Sequence, residues 1–432
     1  MNKKISKKNS KQKTTSCDVL VVGGGLAGAS LACALQDSGL SVEIIEAHPV
    51  NTDAQPCYDD RTVALSYGSR VILDAMGLWD AIEDKTEAIK TIHISDKGHF
   101  GVTRLRHDEE GVDALGYVCE NRVLGEILYQ KLAENSQLQL HCPARLTGLE
   151  QQADYVRVQY AEGEKQNEVQ AKLLVAADGV TSQVRELLQI EVSRQDYHQT
   201  AVVTNVTPGQ PHNNVAYERF TDGGPIAFLP MQQQRCSVVW TVATEKADAL
   251  MGLDDGMFLE QLQQRFGFRL GQLKKAGKRQ SYPLALVETT QLVRGRVVVV
   301  GNAAHTLHPV AGQGFNLALR DVALLAELIV ENSATGKDVG ATSMLQTYQE
   351  MREKDALRVY RFTDTLVKVF SNNFSPLSHL RSAGLVAADL LPSVKHQLAR
   401  QSMGLSGRMS RLGKRLGKRP GKHAGGHLGL TS

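Results

Sequence analysis

The chain has 432 residues, 42% hydrophobic and 22% charged, enough to bury a full-sized core, and its 38 glycines and 12 prolines suit neither a collagenous nor a proline-rich linker protein. Aromatics make up 5%, too few for a platform that stacks single-stranded nucleic acid along its length, so nucleic acid is not an expected partner. The net charge of +3 is uneven: residues 1–14 hold six lysines, residues 390–432 hold nine Lys or Arg, neither stretch has an acid, and the body between carries 34 basic against 46 acidic residues.

Six cysteines (Cys17, Cys33, Cys57, Cys119, Cys142, Cys236) stand without a C-x-x-C pair or zinc spacing, so no disulfide framework or structural metal is expected and a reducing cytoplasm suits the chain. The basic start followed by uncharged Val19 to Leu35 imitates a signal peptide, but Asp18 and three consecutive glycines break the imitation. No run reaches the ~18 apolar residues that a membrane span needs.

In chain order, Asp18 to Val22 is an apolar β-rich run that stops at glycines, Leu26 to Ser38 reads as a helix closed by Gly39, and Ser41 to Glu46 is a second strand. Together they make a βαβ unit. Helices are predicted at Val63 to Met76 and Val123 to Asn135, and a buried strand at Leu173 to Ala177. From Val192 to Pro283 the texture changes to alternating strands (Ala201 to Val206, Val215 to Phe220, Ile226 to Leu229, Cys236 to Val242) with a helix at Met257 to Phe266, which reads as an antiparallel sheet. Arg296 to Val300 returns to a buried parallel-type strand, and helices follow at Asn316 to Val330 and Ser343 to Phe370. Beyond Ser402 the Gly, Lys and Arg-rich end is of low complexity.

Gly23-Gly24-Gly25-Leu26-Ala27-Gly28 satisfies G-x-G-x-x-G between a strand and a helix. Gly23 allows the tight turn, Gly25 lets the backbone approach a pyrophosphate at the helix N-terminus, and Gly28 lets helix and strand pack closely. Glu46, ending the second strand, is placed to accept hydrogen bonds from an adenosine ribose. This fingerprint alone leaves FAD and NAD open. Arg61 can set a guanidinium beside the pyrophosphate or an incoming acidic cofactor. His305 and His308 lack the Cys or carboxylate company of a metal site, and His93 and His99 read as polar surface residues.

Asp59-Asp60-Arg61, the run from Ala176 through Asp178-Gly179 to Arg185, and the run from Gly301 through His305, Pro309, Gly312 and Gly314 to Asn316 resemble, in order and spacing, the group A flavoprotein aromatic hydroxylases over residues 17 to 330. The resemblance implies an α/β fold: a Rossmann-type, glutathione-reductase-like FAD-binding domain with an inserted antiparallel substrate sheet and C-terminal helices. The expected division is a basic tail (1–14), FAD-binding segments (15–90, 119–190, 285–340), substrate-domain segments (91–118, 191–284), C-terminal helices (341–401) and a second basic tail (402–432). Arg122 matches a flavin-contacting arginine, and Asp178-Gly179 a motif tied to FAD and the nicotinamide cofactor. Asn302 stands where the family has an aspartate bonding a flavin-chain hydroxyl; an amide oxygen can accept the same bond. The loop from Pro309 to Asn316 would bring backbone N–H groups of Gly312, Gln313 and Gly314 to the flavin, where they stabilise charge near N1. By the same analogy the Pro309 carbonyl lies near the reacting ring.

The activity implied is NAD(P)H-driven hydroxylation of a phenol by O₂ through a flavin C4a-hydroperoxide, with NAD(P)H a visiting co-substrate because only one glycine fingerprint occurs. The runs Thr91 to Gly101, Ala216 to Thr221, Gly224 to Met231 and Phe266 to Gly271 resemble the ubiquinone-biosynthesis branch, nearest to members acting on 2-polyprenyl-6-methoxyphenol. That implies a polyprenyl phenol substrate, peripheral contact with the inner membrane that the basic tails could assist, and assembly with other proteins of the pathway. Another ring-position hydroxylase or a flavin-dependent prenyl reductase stays open. The tryptophans Trp79 and Trp240 do not form the W-x-W-x-I of flavin halogenases. No residue stands out as a phenol-activating base.

Overall fold

A computed structural model describes residues 14–49, 61–98, 101–307, 312–370 and 389–406. Its first sheet has a parallel core in the order Val297–Val299, Lys165–Ala176, Thr14–Val22, Val42–Ile45, Leu138–His141. These strands are runs of Val, Leu and Ile because both faces are covered, and Val19, Leu20, Val21 and Leu173 to Ala176 are fully buried. Helices Leu26–Ala34, Asn121–Ala133 and Gln313–Ala334 cover one face. On the other, an antiparallel hairpin, Arg145–Gln151 and Val156–Glu162, packs Leu146, Val156, Val158 and Tyr160 against the sheet. The Leu26–Ala34 helix is wedged between sheet and neighbouring helices, which is why it is apolar all round.

Among the described residues the second sheet has nine strands. Its main path runs His305–Thr306, Gln280–Thr289, Val192–Thr207, Arg235–Ala243, Ile226–Met231, Val215–Phe220, Thr91–Asp96, Val102–Arg106. The expected short strand at Ala201 to Val206 is the middle of a 16-residue strand. Thr91–Asp96 joins parallel to Val215–Phe220, while its other neighbour is antiparallel. One face of this sheet carries the helix Asp255–Phe266, with Phe258, Leu262 and Phe266 buried against Phe228 and Trp240. The opposite face looks toward the first sheet.

A third, three-stranded sheet (Thr62–Ser66, Gly116–Glu120, Glu87–Ile89) lies between the two. It corrects the helix predicted from Val63: Thr62–Ser66 is a strand, and the helix begins at Tyr67, where the Ser66 hydroxyl accepts from the Ser69 N–H. Residues 116–118, grouped above with the substrate strands, belong to this connector. At the other end the chain stays packed past 401, since Met403 is buried and the Gly68 N–H donates to its carbonyl at 2.8 Å.

A buried polar cluster ties the hairpin to the parallel core. His141 reaches Glu43 through Nε2 at 2.8 Å and Glu162 through Nδ1 at 3.1 Å, with the Tyr160 hydroxyl at 3.1 Å. Burial disfavours the imidazolium, but the two carboxylates outweigh it and raise the His141 pKa above its ordinary value. A raised folded-state pKa stabilises fully below the unfolded value of about 6.5 and the contribution is lost as pH rises through the folded pKa. Urea midpoints are therefore expected to fall as pH rises from about 6.5, and His141→Gln to remove that part of the slope. His141→Ala, which strands the buried Glu43, is expected to cost about 3–5 kcal/mol.

Candidate cofactor and substrate site

The glycine turn sits at the carboxyl ends of the central strands, where the chain leaves Thr14–Val22 and enters the helix at Leu26. Gly23 has φ +102°, and a Cβ there would lie 2.5 Å from the Ala177 carbonyl oxygen and 2.8 Å from the Asp178 Cα. A Cβ on Gly28 would collide with the Gly23 carbonyl. Gly25 differs: a Cβ there meets nothing within 4 Å, so the space beside this helix start is open. No side chain caps that helix, which leaves its first N–H groups available to an anion.

Glu46 lies buried beside this turn and accepts from the Gly24 N–H at 2.6 Å and the His48 N–H at 2.7 Å. Two backbone donors orient the carboxylate, and each oxygen retains a lone pair for a further hydroxyl. The sequence reading missed Tyr129, whose hydroxyl donates to the Gly24 carbonyl at 2.8 Å. Its position seven residues after Arg122, on the same face of one helix, was the available signal.

Asp178 takes the Val184 N–H on Oδ2 at 3.1 Å, while Oδ1 is buried without a hydrogen-bond partner. Burial outweighs its hydrogen bonds and holds its pKa above the usual carboxylate range. An orphaned buried acceptor beside the Gly23 turn fits a ligand hydroxyl. Gly179 (φ +84°) carries the chain out of the strand. Across the turn, Gly301 is wedged between Ala27 and Ala318, which leaves Asn302 exposed next to the first helix start.

The second helix start is built by Asn316. Its Oδ1 accepts from the Ser66 N–H (2.8 Å) and the Ser69 hydroxyl (2.7 Å), and its Nδ2 donates to the Ala64 (2.8 Å) and Gly312 (2.6 Å) carbonyls. All four hydrogen-bonding positions of the amide are used, so this side chain holds the loop rather than a ligand. Gly312, at φ +60°, leads into the Gln313–Ala334 helix with no side-chain cap; Gln313 is buried, and Gly314 faces open space. Pro309, with Asp59, Asp60, His99 and His308, lies outside the described residues.

Two arginines meet at one corner, because the Asn121 N–H donates to the Arg61 carbonyl at 2.9 Å. The Arg61 guanidinium lies over the Tyr282 ring, 5.1 Å from its centroid. Arg122 is half exposed and pairs with Glu126 at 2.8 Å and Glu120 at 3.7 Å. His305 is buried, its Nε2 2.7 Å from Asp321, which also takes the Arg352 guanidinium at 2.6 Å. His93 corrects the surface reading: it is buried in the second sheet, and burial together with Arg269 and Arg104 pushes its pKa down to about 4.

Open glycine backbone, two uncapped helix starts, an orphaned acid and a ribose-side carboxylate fit a flavin adenine dinucleotide, and residues 16–363 match the family described as FAD binding domain. The chain belongs to that family, and its cofactor is FAD. It is 38% identical to the ubiquinone hydroxylase UbiL of Rhodospirillum rubrum over 90% of this chain and 89% of that protein. Against the 3-demethoxyubiquinol 3-hydroxylase of Escherichia coli it is 31% identical, covering 90% and 98%. Among solved structures the p-nitrophenol 4-monooxygenase PnpA of Pseudomonas putida shares the fold at TM-score 0.77 and 20% identity, covering 92% of this chain and 99% of that one. The chain thus falls in the ubiquinone-hydroxylase branch of the FAD-dependent monooxygenases.

Two substitutions separate packing from binding. Gly25→Val, which has room in the protein alone, is expected to fold with near-normal Tm yet purify without the visible absorbance of flavin. Gly28→Ala is expected to lower both flavin content and Tm, because its methyl has no room between helix and turn.

Proposed function

We propose that this protein is an NAD(P)H- and FAD-dependent monooxygenase that hydroxylates a polyprenylated methoxyphenol in ubiquinone biosynthesis. The observation that carries the reading is the contact, made through Ala64, between the Gly312–Asn316 helix start and one face of the nine-stranded sheet. Ala64, whose Cβ would be 3.0 Å from a Cβ on Gly312, packs in one cluster with Ile92, Ala216, Leu229 and Met231 of that face. A hydrogen bond from the Thr62 hydroxyl to that of Ser237, 2.8 Å, fastens the connector to the same face.

FAD, when bound, supplies electron transfer from NAD(P)H and the activation of O₂. The protein contributes orientation, charge and exclusion of water. Residues Gly23 to Gly28, Glu46, Asp178, Gly179 and Asn302 would hold the dinucleotide, with Arg61 and Arg122 at its flank. Gly312, Gln313 and Gly314 would set fixed N–H dipoles against the ring system, so negative charge developing there is stabilised without reorganisation. Roofing this loop with aliphatic side chains keeps water from the reacting ring carbon. The division of labour follows: the parallel sheet and its helices serve FAD, and strands 91–106 with 191–289 serve the phenol.

No helix among the described residues is long and apolar enough to cross a membrane. A substrate with an isoprenoid tail must still be taken from a bilayer, and the Lys and Arg residues of 3–13 and 408–422, outside the described residues, carry the charge to meet anionic lipid at an inner membrane. Hydroxylation at a different ring position is the second reading, favoured by the Escherichia coli relative whose name places its reaction at carbon 3. The test is reconstitution with FAD, NADH or NADPH and a short-tailed 2-prenyl-6-methoxyphenol in an oxygen electrode. The expected result is oxygen uptake dependent on the phenol, with a product one oxygen atom heavier. Pyridine nucleotide oxidation with a saturated prenyl double bond and no oxygen uptake would replace the monooxygenase by a prenyl reductase.

A further inference from the structure

The strand Val215–Phe220 alternates between two environments. Tyr217 and Arg219 align with His93, Ser95, Phe228 and Ile226 on the face that packs under the Asp255–Phe266 helix, where Tyr217 meets the Phe266 ring edge-on at 5.5 Å. Ala216, Glu218 and Phe220 point the other way. Ala216 belongs to the cluster with Ala64 and Leu229, which roofs the Gly312 loop. Glu218, one step along the same face, is aligned with Ile94 and Ala227. Ile94 in turn packs with Ile92, Leu105, Tyr67 and Met403, so the carboxyl is set in an aliphatic wall.

The cations of this region sit on the other side of the sheet. Arg104 aligns with His93, and Arg219 and Arg269 act electrostatically on the same histidine. Asp96, aligned with Phe220, is the acid that acts electrostatically on Arg219. Glu218 has no hydrogen bond or ion pair among the described residues, and it keeps some accessible surface while Ala216 and Phe220 are buried. Burial alone pushes its pKa up to about 7. A carboxyl set in an apolar wall without a protein partner is costly to ionise unless something else supplies the partner, and a phenolic hydroxyl has the required donor.

We infer that Glu218 is the group that accepts the proton of the substrate phenol. This deepens the reading of the preceding subsection and rests on it. The phenol O–H bond breaks as the Glu218 carboxylate takes the proton, leaving a phenolate whose electron pair enriches the ring carbon for attack on the activated oxygen. After oxygen transfer, that ring carbon loses its hydrogen to water as the ring becomes aromatic again. The Glu218 carboxylic acid returns its proton to the ring oxygen and is a carboxylate once more. NAD(P)H and O₂ remain the reductant and oxidant: the O–O bond breaks, one oxygen atom enters the ring, and the other leaves as water with the electrons of NAD(P)H.

The test uses the full FAD-loaded chain and ring-fluorinated 2-prenylphenols of graded acidity. Glu218→Gln, close in shape, is expected to retain FAD and lower the hydroxylation kcat by about 100-fold on the least acidic phenol. The deficit should shrink as the phenol becomes acidic enough to ionise unaided, and Glu218→Asp should recover part of the rate. A purely structural role would depress every phenol alike, and that result, or an unchanged kcat, overturns the proposal. A second measurement needs no turnover: pentafluorophenolate binding, read by flavin fluorescence at about pH 9, should be roughly 10-fold tighter in Glu218→Gln because the opposing carboxylate is gone. Equal affinity in the two proteins overturns the assignment. Failure of the wild type to hydroxylate any phenol would instead remove the parent reading, with the binding comparison still deciding Glu218.

Discussion

The whole site hangs on one carboxamide. Asn316 lies in the first turn of a 22-residue helix and reaches Ser66, Ser69, Ala64 and Gly312, so it joins the helix to the three-stranded connector and to the glycine that starts it. Each bond is worth about 1 kcal/mol net, but an unmade one in this buried place costs about 1–3 kcal/mol, which makes the arrangement nearly all-or-none. Because the amide is saturated, the N–H groups of the helix start stay free of side-chain caps. Preorganised donors of that kind are what a cofactor that gains and loses charge requires.

A charged chain of contacts braces the far side of the same helix. Asp321 lies between His305 and Arg352, Arg352 also reaches Asp355 at 2.6 Å, and Asp355 reaches Arg320 at 3.2 Å. Burial raises the Asp321 pKa, but the Arg352 guanidinium foremost, with the hydrogen bond from His305, holds it below the ordinary carboxylate range. The network couples the strand His305–Thr306, at the edge of the nine-stranded sheet, to the Gln313–Ala334 and Thr342–Phe370 helices. Asn316 thereby anchors the chain at Gly312, and the His305–Asp321 hydrogen bond anchors the strand His305–Thr306.

The nine-stranded sheet divides its chemistry by face. Arg219, Arg104, Arg269 and His93 gather on the side that carries the Asp255–Phe266 helix, with His93 buried and Arg104 and Arg269 exposed. The face toward the connector carries Ile92, Ala216, Leu229 and Met231 with Thr103, Thr241 and Ser237, and the carboxyls there are Asp96 and Glu218. A sheet that faced its arginines inward would offer a hydrated, anion-binding cavity unsuited to a neutral prenyl phenol. The observed sorting suits a ligand whose only polar demands are at its ring.

Local chemistry was enough for some of this. Strand, glycine turn and helix from Asp18 to Ser38 are legible because Gly23 and Gly28 answer constraints within a few residues, and the buried runs at Leu173 and Arg296 are legible from apolarity alone. Where the sequence misled, a distant partner decided. Val63 to Ser66 carries helix-compatible residues, yet it pairs with Gly116–Glu120 and becomes a strand. His93 looks like a surface residue in a polar stretch until Val215–Phe220 and Val102–Arg106 flank it. Glu218 carries no local mark at all. The sequence by itself determined the dinucleotide turn, the family and the cofactor, since those depend on short-range geometry. Which polar groups are left without partners on the face toward the connector was decided only by tertiary structure, because burial and pairing arise from strands brought together from opposite ends of the chain.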